Sequence, residues 1–349
     1  MAAASERVTA PTGRRRRRRW WTFGGVAIGL AAFAWVVARI DHARLVDVAG
    51  RADMAFVAMV PLAVAAEQLM RAVKWRQLLY RLRPIGTFRL FGAIMAGYFT
   101  NLMVPVGLSP IVRSWLVARL EALTLGAVLA TAAIDRLVDG LVFTGFVAVA
   151  LAAAAFPDPD GRIRLGLFIG GAASFALFAF FGFALARFKR RAGDPASLIA
   201  RLADRLPARF ARPAKRALGS FAEGIVWPRE IGRGLAIVAA SIVIKLIALT
   251  YFLWAGLAFG LMLRPADYVF LMVFLGFLII ISRLVRIPGG FFLGAIFALD
   301  LLGVADETAL AMVLLVQVSS VLAIASIGGI ALWRSGISLD DMKLDRADG

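Results

Sequence analysis

The chain contains no cysteine among its 349 residues and a single histidine, His42. The first absence excludes disulfides, thiol nucleophiles and cysteine-ligated metal. The second leaves catalysis without its usual proton carrier near neutral pH and a metal site without its usual ligand. No glycine-rich phosphate loop followed by Lys-Ser or Lys-Thr is present, so nothing supplies direct ATP hydrolysis. Charge is sparse: only 18% of residues are Asp, Glu, Lys or Arg. No cofactor, metal or catalytic residue is therefore expected, and the chain does not read as an enzyme.

What fills the chain is apolar. Hydrophobic residues make up 61% and the mean hydropathy is +0.82, which places the chain in a bilayer. The apolar runs are long and rich in Ala, Leu, Val and Phe, without the alternating segments of about ten residues that a barrel needs. The fold expected is an all-α integral membrane protein. Continuous spans are expected near 20–38, 54–68, 124–155, 165–186, 235–261 and 308–333. The run at 20–38 is too long for a signal-peptide core and lacks a small-residue cleavage site after it.

The net charge of +18 is concentrated between spans. Arg14 to Arg19 precede Trp20 and Trp21. Arg71, Lys74, Arg76, Arg81, Arg83 and Arg89 follow the second span without an acid among them. The segment 187–233 is basic, with Leu198, Leu202, Leu206 and Phe210 at helical spacing. These clusters mark the cytoplasmic side of an inner membrane and its anionic lipid rather than a nucleic-acid surface. Residues 1–19 read as a basic cytoplasmic tail, 20–333 as the membrane domain with 187–233 as a basic amphipathic segment on its surface, and 334–349 as a second cytoplasmic tail.

Two apolar stretches break in the middle. The first, 88–120, breaks at Pro105, Gly107 and Pro110; the second, 267–303, breaks at Pro288, Gly289 and Gly290. Keeping 187–233 inside requires the first to enter from the cytoplasm and return to it. The same count makes the second enter from outside and leave to outside. Two broken hairpins of opposite sense, added to six full spans, are the pattern of an inverted repeat around a transport site. Backbone at such breaks must be buried in protein or line a wet cavity; two kinked helices packed in a bundle are the plainer alternative.

Charged residues inside spans need a reason. Asp135 and Asp139 lie one helical turn apart, and Arg136 can pair with Asp139 at i, i+3. Arg113, just after Pro110, combines a guanidinium with the free N–H groups of a helix start, which suits a phosphate. Asn101, Arg283 and Lys245 complete the candidate substrate-binding set; Glu67, Arg286 and Asp300 are further charges near it.

Four motifs in order resemble the flippase-like membrane domain of the lysylphosphatidylglycerol synthases. They are Arg71-x-x-Lys74-Trp75-x-x-Leu78-Leu79; Asn101, Pro105, Gly107 and Arg113; Asp135-Arg136-x-x-Asp139; and Pro288-Gly289-Gly290. The resemblance covers roughly 20–333 and implies translocation of an anionic or isoprenoid-type polar lipid. Two departures stand out. Ser109-Pro110 occupy the places of the family's Gly-Glu, and Ala295 stands where an acid usually follows Pro-Gly-Gly. The synthases' soluble aminoacyl-transferase domain is not expected, because the chain ends shortly after Trp333. Membrane lipid is the expected partner, with a lipid-biosynthesis enzyme or a second copy of the chain as further candidates. An accessory, non-transporting subunit is the competing reading.

Overall fold

The computed structural model describes residues 42–103, 109–153, 158, 160–191, 208–285 and 290–335. Among these residues all regular structure is helical, in eleven helices. The first span expected, 20–38, and the breaks at Pro105, Gly107, Pro288 and Gly289 lie outside the described residues, as does Arg286.

Among the described residues, five helices are long and apolar enough to cross a membrane. They are α2 (Met54–Leu79), α5 (Leu125–Ala153), α6 (Arg162–Arg191), α8 (Ile231–Ala258) and α11 (Asp306–Ser335). A short α1 (His42–Gly50) precedes them, and the basic amphipathic α7 (Ala208–Gly224) lies between α6 and α8. The remaining four form two pairs: α3 (Thr87–Met103) with α4 (Ser109–Leu120), and α9 (Pro265–Val285) with α10 (Gly290–Leu301). At 1.5 Å per residue, α4 and α10 are each about 18 Å long, well short of the roughly 30 Å hydrocarbon core.

Loop contacts sort the helix ends onto two faces. On one, the Asp53 amide donates to the Ala258 carbonyl at 2.8 Å, joining the start of α2 to the end of α8. Gly256, Leu261, Tyr268 and Met312 meet there, which adds the starts of α9 and α11. On the opposite face Arg83 and Arg89 both pair with Glu121, at 3.4 and 3.1 Å. Arg233 there donates to Gln77 at 2.9 Å, and Lys189 donates to the Ile225 carbonyl. The Glu121 pairs place the start of α3 beside the end of α4, so that pair goes in and comes back on one face. The α9/α10 pair does the same from the other. The face holding Arg83, Arg89, Lys189, Arg190 and Arg191 is basic; the one holding Asp47, Arg51, Asp160, Arg162, Arg264 and Asp267 is mixed.

Both αL turns that end helices on the mixed face use glycine. Gly260 (φ 71°) closes α8 and Gly303 (φ 76°) closes α10, where the Leu261 amide donates to the Gly256 carbonyl and the Val304 amide to the Leu299 carbonyl. Close approach of helices is bought by small residues, as in other membrane bundles. A Cβ on Gly328 of α11 would lie 2.4 Å from the Met95 carbonyl of α3.

Two apolar clusters result. One gathers Val60, Phe143, Phe252, Tyr268 and Leu299 toward the mixed face. The other gathers Trp75, Leu78, Leu116, Val138 and Ile237 toward the basic face. The boundary between them crosses α2 between Val60 and Ala72, α5 between Val138 and Phe143, and α8 between Ile237 and Phe252.

Candidate functional site

Four of the charged side chains expected inside the bilayer, Glu67, Arg113, Asp135 and Asp139, gather at or beside that boundary. Glu67, Arg71 and Lys74 follow at i, i+4 and i+7, a single face of α2. Asp135 and Asp139, at i and i+4, form a matching face of α5. The two faces meet. Lys74 Nζ is 2.5 Å from Asp139 Oδ1 and 2.6 Å from Asp135 Oδ1. Arg71 Nη1 donates to Asp139 Oδ2 at 3.0 Å, and its Nη2 donates to Glu67 at 2.5 Å. Arg113, from α4, reaches Asp135 Oδ2 at 3.2 Å. Tyr251 of α8 donates its hydroxyl to Glu67.

Three acids and three bases close on one another with no net charge. Their burial is nearly complete: Lys74 and Asp135 are 0% exposed and Arg113 is 1% exposed. Removing several charges from water costs several kcal/mol each, and only mutual pairing with good geometry offsets it. Aromatic groups wall the network. The Arg113 guanidinium lies 4.8 Å over the Trp75 ring, and Trp75 Nε1 donates to Thr131 Oγ1 at 3.0 Å.

The network differs from the expected one in three ways. Asp139 pairs with Arg71 and Lys74 across the helix interface, and Arg136 on the same helix turns outward and is exposed. The face that carries Asp135 and Asp139 is packed against α2, whereas Arg136, one residue beyond Asp135, is rotated about 100° away. Second, Arg71 and Lys74 are not surface residues of a cytoplasmic loop. Helix α2 runs on to Leu79, and both side chains are buried within it. Third, Arg113 is engaged with a carboxylate rather than standing free at the helix start. A recognisable signal for the second point existed: no Gly or Pro interrupts the chain between Gln68 and Leu79.

Of the other candidates, Lys245 sits at the middle of α8, with Nζ 5.6 Å from the centre of the Phe143 ring and no ion pair among the described residues. It does not pair with Glu67. Asn101 lies near the end of α3 and is half-buried. Arg283 lies in the last turn of α9, but its side chain is outside the described set. Pro110 is the second residue of α4, where a missing N–H costs nothing, and Gly290 opens α10. Asp300 is exposed in the last turn of α10, away from the network. Ala295, in the place of a family acid, is fully buried among apolar side chains.

Long apolar helices, two pairs that each contain one half-length helix and return to opposite faces, and a buried neutral ion network define a polytopic α-helical membrane protein. The model for the lysylphosphatidylglycerol synthase TM region matches residues 22–328, and the chain belongs to that family. Neither curated proteins nor solved structures gave a match.

Proposed function

We propose that this protein translocates a polar lipid across the inner membrane, without catalysing a chemical change in it. The observation that carries this reading is the neutral ion network buried between α2, α4 and α5, beside the half-length α4. A half-length helix ending against buried charge is costly unless that depth serves a polar cargo. Entry of the two broken pairs from opposite faces supports an inverted repeat, in which each face in turn opens to the same central site. The basic face is then cytoplasmic, together with both termini.

Catalysis is disfavoured because Asp135 and Asp139, the pair of carboxylates among the described residues best suited to acid–base work, are both held by cations. The test is a liposome assay with purified protein and labelled lipids of several head groups. Lipid movement that disappears in Arg113→Ala and Asp139→Asn variants with retained fold supports translocation. No movement with any head group rejects it.

A second reading, an accessory subunit of a lipid- or envelope-synthesis enzyme, is favoured by one observation. Ala295 leaves the second broken pair with an apolar interior where the family resemblance leads one to expect an acid. Stoichiometric co-purification of such an enzyme, together with absent lipid movement, would support this role.

A further inference from the structure

Residues 165–186 of α6 carry no charge, and at 1.5 Å per residue that run is about 33 Å long, close to the roughly 30 Å hydrocarbon core of a bilayer. Arg187 therefore emerges at head-group depth on the basic face, with Phe183 and Ala186 in the hydrocarbon just beneath it. A cavity of about 200 Å³ lies across that step, lined by Phe183, Ala186, Arg187, Arg190 and Arg191. These positions, at i, i+3, i+4, i+7 and i+8, form one face of the helix, and all five side chains are exposed. The other face is occupied. Leu185 is buried, the Phe188 ring meets Phe221 of α7 edge-on at 5.7 Å, and Lys189 donates to the Ile225 carbonyl. Arg187, Arg190 and Arg191 have no acid partner among the described residues.

Two properties of the cavity decide what fits it. Three guanidiniums without a carboxylate call for negative charge, and the planar fork of arginine matches phosphate oxygens. The floor is apolar, and the exposed Phe180 continues it into the hydrocarbon. An acyl chain can lie there, whereas a free phosphate ion gains nothing from it. We propose that the basic end of α6 is a binding site for an anionic phospholipid of the leaflet at that face. Arg187, Arg190 and Arg191 hold its phosphate, and Phe183 and Ala186 take the first methylenes of its chain. A head group with its own ammonium is disfavoured, because no acid among the described residues lines the cavity to receive it. The site lies apart from the buried ion network and holds whether or not the protein moves lipid.

The experiment is native mass spectrometry of the delipidated full chain in detergent, with three probes: dioleoyl phosphatidylglycerol, dioleoyl phosphatidylcholine and inorganic phosphate. The glycerol lipid should bind about tenfold more tightly than the choline lipid. The double variant Arg187→Gln/Arg190→Gln should weaken the glycerol lipid by about tenfold or more, as two basic residues at a membrane surface are worth. Both positions are exposed, so the unfolding temperature should not change. The control is Arg212→Gln/Arg216→Gln, which removes the same charge from exposed positions of α7 on the same face and should change binding by less than about twofold. Phe183→Ala should weaken the lipid several-fold and leave inorganic phosphate unaffected. Equal losses in the two double variants overturn the site in favour of attraction to the whole basic face. Equal binding of the two lipids, or inorganic phosphate bound as tightly as the glycerol lipid, overturns it as well.

Discussion

Lys74 on α2 and Asp139 on α5 lie 2.5 Å apart at the seam between two apolar clusters, and neither side chain reaches solvent to any useful extent. The same ammonium also meets Asp135 at 2.6 Å. One lysine thus neutralises two carboxylates on successive turns of the facing helix. Through Arg71 and Arg113 the network reaches Glu67 and α4, so α2, α4 and α5 are fastened at one depth, with α8 added through Tyr251.

Lys74→Met is expected to be the most damaging single change in the network. It leaves Asp139 with Arg71 alone and Asp135 with Arg113 alone, and breaking a buried pair by removing one partner typically costs about 3–5 kcal/mol. Adding Asp135→Asn should recover part of the loss. Thermal unfolding in detergent of the single and double variants measures this; additive losses would mean the pair is not coupled.

Lys245→Met should behave in the opposite way. Lys245 has no ion pair among the described residues, so its loss is expected to change stability by less than about 1 kcal/mol. If the centre of the bundle handles an anionic lipid, the same variant should lower lipid movement several-fold, as about 1 kcal/mol of lost attraction would. Unfolding and flux measured on one preparation separate the two effects.

Gly328→Val tests the contact between α11 and α3. The added Cβ would fall 2.4 Å from the Met95 carbonyl and 2.8 Å from Phe99 Cβ. Backbone cannot swing aside as a side-chain tip can, so the helices must separate. A loss of about 1–3 kcal/mol is expected, read as a lower unfolding temperature. Gly329→Ala, whose nearest neighbour would be 3.8 Å away, serves as the control.

Ala122→Gly should stabilise the protein. Ala122 ends α4 at φ 51°, the left-handed region, while the Leu123 amide closes onto the Ala118 carbonyl at 2.9 Å. The αL conformation costs a residue with a Cβ about 1 kcal/mol, which glycine avoids. The gain appears as a raised unfolding temperature, reduced somewhat by the greater freedom of glycine in the unfolded chain.

The hydrophobic runs alone determined that this chain is helical and lies in a membrane, because a bilayer tolerates few structures and each needs a long apolar stretch. Arginine and lysine placement foretold that the two broken stretches return to opposite faces, and the pairs of Arg83 and Arg89 with Glu121 agree for the first of them. Asp135, Asp139 and Arg113 were legible as candidates because charge inside an apolar run is costly. Their partners were not. Arg71 and Lys74 look like surface charges when read along the chain, since they begin a basic run after an apolar one. Which residues pair depends on how α2 is rotated against α5, and that rotation follows from packing over the whole length of both helices. The Arg136–Asp139 pairing failed for the same reason: nearness along one helix yielded to a better-buried partner on the next. Sequence set which charges must be compensated; only the tertiary structure decided by whom, because desolvation is relieved by whichever opposite charge the packing brings within reach.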